Sequence, residues 1–128
     1  MWKAIAAVAV GAGCGGVLRW MFSLRLNAVW PNMPLGTLVS NLVAGYIVGV
    51  AVATFAQMPN LSPEWRLVII TGFCGGLSTF STFSIEVVTA LERGAYSWAL
   101  GMVSVHVLGS LLMTIAGLAT VWWLKSVW

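Results

Sequence analysis

Residues 65–91 read WRLVIITGFCGGLSTFSTFSIEVVTAL, an apolar stretch that contradicts itself near its middle. A hydrocarbon core about 30 Å thick takes about 20 helical residues, so the stretch is long enough to span. Gly75 and Gly76 stand side by side within it, each disfavouring helix by about 1 kcal/mol relative to alanine. A doubled Ser-Thr-Phe triplet follows, Ser78 to Phe83. A helix interrupted here would free carbonyls and amides inside the bilayer, which is tolerated only where protein or a wet cavity covers them. Half-helices in transporters exploit that arrangement: carbonyl ends hold cations and helix N-termini face anions. Serine and threonine after the glycines would cap a restarting helix. The pattern predicts a third span broken near mid-membrane; the plainer alternative is a continuous helix packed through its glycines.

The rest of the chain belongs to the same solvent. Of its 128 residues only 7% are charged and 60% are apolar, where a soluble domain carries about 25% charged. The six basic residues are scattered and the net charge is only +3, so no basic stripe points to nucleic acid. Four spans are expected, at residues 2–22, 35–57, 65–91 and 96–125, in one all-α membrane domain covering 1–128. Prolines and asparagines fill the first two connectors, and Glu92-Arg93-Gly94 makes the third. Trp2, Trp20, Trp30, Trp65, Trp98, Trp122, Trp123 and Trp128 fall at or beyond these span ends, the pattern of an interfacial belt. Met1-Trp2-Lys3 before an Ala/Val run resembles a signal peptide, but the equally apolar remainder favours a retained first helix.

Four spans put both termini on one side. Lys3, Arg66 and Lys125 then share that side, and Arg19, Arg25 and Arg93 the other, three against three. With no Lys/Arg bias the positive-inside rule gives no preference. The expectation is insertion in both orientations and pairing with an inverted copy; the alternative is a single orientation set by something other than charge.

Small and polar residues recur every four positions and so share helix faces. Ala7, Gly11, Gly15 and Arg19 form one series, Thr37, Asn41, Gly45 and Gly49 a second, His106, Ser110 and Thr114 a third. The glycines serve close helix packing. Asn41 needs a partner or a wet path, and alone fits an interhelical bond as well as a pore lining. His106 fits a hydrogen-bonded helix interface better than a proton relay, and Tyr46 a bond across helices. Phe80 and Phe83 lie three apart, ordinarily a core or lipid-facing pair. Their positive ring edges, beside hydroxyls and Asn41, would also suit a small anion. Glu86 at span depth is costly and therefore of functional interest; it would pair with a base or take up a proton. Glu64 and Glu92 read as solvated. Cys14 and Cys74 belong to no metal-ligand cluster and read as reduced packing residues. No nucleophile–base set suggests an enzyme.

The run Gly72 to Phe83 resembles the signature of the small bacterial fluoride channels, the Fluc or CrcB family. Gly11, Gly15 and Arg19, and Gly36-Thr37-Leu38 followed by Asn41 and Gly45, agree with it in order and spacing. The resemblance covers essentially the whole chain. It implies an antiparallel, dual-topology homodimer in the bacterial cytoplasmic membrane, with two pores at the interface. It also implies a structural sodium ion at the dimer centre, held by main-chain oxygens of Gly75 and Ser78. Fluoride would pass Phe80, Phe83 and Asn41, with Ser81, Thr82, Ser110 and Thr114 as a polar track and Glu86 near the path. Arg19 matches a vestibule residue, though snorkelling beside Trp20 explains it equally. Ser40 departs from the family's usual aliphatic residue. The implied activity is passive export of fluoride that entered as HF. The rival is a small proton-coupled drug exchanger, which needs a carboxylate in the first span, where this chain has only Lys3 and Arg19 as charges. A non-transporting subunit is a third reading.

Overall fold

In hydrocarbon each peptide group needs a partner within its own segment, and a helix supplies one. The computed structural model describes residues 1–128 and is wholly helical. Helix α1 runs Trp2–Leu26 and α2 Leu35–Ala56. Next come α3, Pro63–Arg66, a π-helical stretch, Leu67–Cys74, and a single turn, α4, Gly75–Leu77. Helix α5 covers Phe80–Glu92 and α6 Tyr96–Val127. Four runs are long and apolar enough to cross a membrane: Trp2–Leu26, Leu35–Ala56, Pro63–Glu92 and Tyr96–Val127.

The helices end where the backbone finds another partner, which is not where hydrophobicity ends. Helix α1 continues past residue 22 to Leu26, leaving Trp20 inside it. Asn27 then closes the helix, its N–H reaching the Ser23 carbonyl. Its side-chain Oδ1 accepts from the Gly36 and Thr37 amides at 2.8 and 3.3 Å, so one residue also caps α2 across the connector. Helix α5 ends in a Schellman motif: Gly94 at φ 72° lets its own N–H reach Leu91 O and the Ala95 N–H reach Ala90 O.

Two close helix pairs build the bundle, α2 on α6 and α1 on the third span. Glycines set both. A Cβ on Gly11 or Gly15 would overlap backbone of Val68 or Phe73, and one on Gly72 or Gly76 backbone of Val8 or Ala12. Gly49 and Gly117 do the same between α2 and α6, and Tyr46 Oη donates across that seam to Thr120 Oγ1 at 3.1 Å. Ser40, fully buried, bonds back to the Gly36 carbonyl of its own helix. Only 21 of 128 residues are buried, and the outer surface carries large apolar side chains such as Leu108, Leu112 and Trp123, which lipid accepts and water would not.

Candidate functional site

The third span changes character at Ser78 (φ −74°, ψ 154°) and Thr79 (φ −149°, ψ 119°), two extended residues between α4 and α5. Their hydrogen bonds show what replaces helix there. In a continuous helix the Thr79 N–H would serve the Gly75 carbonyl; here it donates to Asn41 Oδ1 at 2.7 Å. The Thr82 N–H would serve Ser78; here it donates to Thr79 Oγ1 at 3.2 Å, an N-cap for α5. The carbonyls of Gly75 and Ser78 thereby lose their helical donors. Cys74 O keeps two, from the Ser78 amide and hydroxyl. Gly76 O receives the Arg19 guanidinium, Nε at 3.0 Å, a cation placed at the carbonyl end of a helical turn.

Asn41 holds this segment from α2. Its Oδ1 accepts from Thr79 N–H and its Nδ2 donates to Thr79 O at 3.1 Å, so one carboxamide pairs both backbone groups of one residue as a strand neighbour would. The same Nδ2 lies 3.0 Å from His106 Nδ1 on α6. His106 is buried, with its ring 4.6 Å from that of Phe83, and its Nε2 has no partner.

Around this junction lies an open groove of about 550 Å³. It gathers six of the ion-path and sodium candidates read from sequence, Asn41, Gly75, Ser78, Phe80, Phe83 and Ser110, together with Thr79 and His106. Phe80 stands 77% exposed at its edge while Phe83 is buried, and the rings meet edge to face at 5.5 Å. The remaining candidates sit elsewhere. Thr82 Oγ1 accepts from Thr79 Oγ1 at 3.1 Å, and exposed Ser81 lies 3.4 Å from the same hydroxyl. Thr114 Oγ1 donates to the Gly45 and Ser110 carbonyls, tying α6 to α2. Glu86 borders a second groove, of about 190 Å³, with Arg93 and Trp98. Its Oε1 accepts from buried Thr37 at 2.6 Å, and its Oε2 is buried without a partner.

Three residues of this network were not among the sequence candidates. Thr79 was available in the doubled triplet, where its role depends on which of four hydroxyls falls at the cap. Thr37 looked like one more small residue in a stripe. Asn27 stood in a connector, and nothing local says that it caps a helix nine residues later.

Residues 6–118 match the family model described as CrcB-like protein, Camphor Resistance (CrcB). A relative from Nitrosomonas europaea named fluoride-specific ion channel FluC is 65% identical over 98% of this chain and 99% of its own. Proteins of the same name from Chromobacterium violaceum and Pseudomonas paraeruginosa are 62% and 58% identical, over 98% and 97% of this chain and 99% and 98% of theirs.

Proposed function

The chain belongs to the CrcB family, and from that premise we propose that it is a fluoride-selective channel, exporting cytoplasmic fluoride passively across the bacterial cytoplasmic membrane. The family is one of ion channels, so this multi-pass membrane protein is not an enzyme. The substrate rests on the relatives' names. The observation that carries the location of the path is the groove gathering Asn41, Phe80, Phe83 and Ser110 around the extended Ser78–Thr79 pair.

Fluoride is small and strongly hydrated, so a path must replace water with convergent donors while offering no fixed charge that traps the ion. Hydroxyls, N–H groups and the positive edges of Phe80 and Phe83 answer that requirement. Ser81, Thr82, Ser110 and Thr114 would continue the donors along the path, with Glu86 beside it. The charge of Arg19, whose Nε is engaged by Gly76 O, would serve to raise local anion concentration.

The reading includes an antiparallel homodimer with two pores at its interface, each third span acting as two half-helices. The even charge count supports dual insertion, and an open groove on a single chain calls for a cover. A structural sodium ion at the dimer centre fits the residues present. Gly75 is exposed with open space around it, and the diverted Thr79 and Thr82 amides leave neutral carbonyl oxygens of Gly75 and Ser78, which suit a hard cation. Its contribution would be to join carbonyl ends that otherwise repel. The drug-exchanger reading is not favoured, since these relatives are named as fluoride channels.

The test is efflux from liposomes containing only this chain, with fluoride and chloride measured in parallel in sodium buffer. Rapid fluoride efflux with no chloride efflux is expected, needing no proton gradient. Well-folded protein that passes no fluoride overturns the reading.

A further inference from the structure

We propose that the second, smaller groove is the surface mouth of the ion path, and that Arg93 is the charge that draws fluoride into it; this rests on the channel reading and adds a mouth and a residue to it. One side of α5 connects the two grooves. Phe83 borders the larger, and Glu86 and Arg93 border the smaller. Glu86 follows Phe83 by three residues and Arg93 follows Glu86 by seven, so at 3.6 residues per turn all three share one side of the helix. From Phe83 to Arg93 the rise is about 15 Å, half of a hydrocarbon core about 30 Å thick. Helix α2 makes the same connection. Thr37 donates its hydroxyl to Glu86 and lies one turn from Asn41, which holds the extended pair in the larger groove. Thr37 also falls in the first turn of α2, and Asn32 and Pro34 of the preceding connector line the smaller groove, which therefore lies at the end of the spans.

The charges in this groove fit a mouth for an anion. Glu86 places a carboxyl group there with Oε2 buried and unpartnered. When ionised it repels an anion unless a cation offsets it. Arg93 is the only basic residue lining the groove. Arg19 and Arg66 each give a guanidinium N–H to a backbone carbonyl, whereas Arg93 is exposed at the C-terminal end of α5. A cation there complements the helix dipole, which is its plain structural role. Apolar walls such as Trp98 and Met102 also focus its field along the groove, which raises the local concentration of an anion.

The test is initial fluoride efflux from liposomes holding the full chain, with fluoride low enough that flux rises in proportion to it. At about 0.01 M ionic strength Arg93→Gln should carry about two- to threefold less fluoride than wild type, the scale of one unit charge acting across about 7 Å of water. The deficit should vanish at about 1 M, where the Debye length is about 3 Å. Arg93→Lys, which keeps the charge, should restore the flux. A purely structural role would instead lower the unfolding temperature and leave a deficit that salt does not remove. A deficit that persists at high salt, Arg93→Lys no better than Arg93→Gln, or no deficit at all overturns the proposal and leaves the channel reading standing. So does an equal loss from Arg25→Gln, since Arg25 is an exposed cation on the same side of the spans that lines neither groove. Wild-type liposomes that pass no fluoride overturn the channel reading, and this proposal with it.

Discussion

Asn41 stands in for a missing stretch of helix. The extended Thr79 has a peptide N–H that no helical neighbour serves and a C=O that heads α5, and one side chain from α2 reaches both. A carboxamide is suited to this, since it offers a donor and an acceptor in one plane. Replacing it with leucine of similar size leaves the Thr79 N–H and His106 Nδ1 without partners, while Thr79 O keeps its place as the first acceptor of α5. Asn41→Leu should lower stability by about 2–6 kcal/mol, at about 1–3 kcal/mol for each of the two groups left unpaired. Denaturant unfolding in detergent measures this, and a loss under about 1 kcal/mol would mean that water serves Thr79 equally well. Sequence marked Asn41 as needing a partner but could not supply it, because Thr79 lies 38 residues away and His106 lies 65. Glu86 shows the same limit. Its presence in an apolar span was conspicuous, whereas its acceptor bond from Thr37 arises only where α2 and α5 meet.

At the scale of helices, the glycines were legible as a class but not as individuals. Fourfold spacing marks a face, yet it does not say which members of the face touch another backbone. Gly49 meets the Thr114 carbonyl and Leu118 amide so closely that a side chain has no room, while Gly13 has open space within 4 Å. Gly49→Val should separate α2 from α6 and cost about 1–3 kcal/mol through overpacking. Gly13→Ala should be neutral or stabilising by up to about 1 kcal/mol, because alanine is the better helix former. Thermal unfolding of the two variants in one detergent checks the pair. Equal losses at both positions would show that helix propensity, and not backbone approach, governs them. The π-helical stretch Leu67–Cys74 has no counterpart in the sequence reading. Nothing in LVIITGFC distinguishes it locally from α-helix; it lies against α1, with Gly72 pressed on Val8 O and Gly11.

For the molecule as a whole, three basic residues on each side of the spans give the positive-inside rule no preference. On a background lacking Cys14 and Cys74, single cysteines at Asn60 and Asn32 lie in connectors on opposite sides. Each should react about half with an impermeant maleimide from outside, the split that undirected insertion gives. Complete labelling of one and none of the other would establish a single orientation. Sequence by itself determined that the chain lives in lipid and crosses it in four apolar segments, because hydropathy over about twenty residues is a local property of the chain. It also marked Gly75 to Phe83 as a place where helix is disfavoured, since glycine propensity and hydroxyl capping act within a turn or two. Only the tertiary structure decided which polar groups answer one another: Asn27 with the start of α2, Arg19 with Gly76, Asn41 with Thr79 and His106. The physical reason is that a hydrogen bond in hydrocarbon depends on atoms within about 3 Å, and helix packing, not chain order, brings those atoms together.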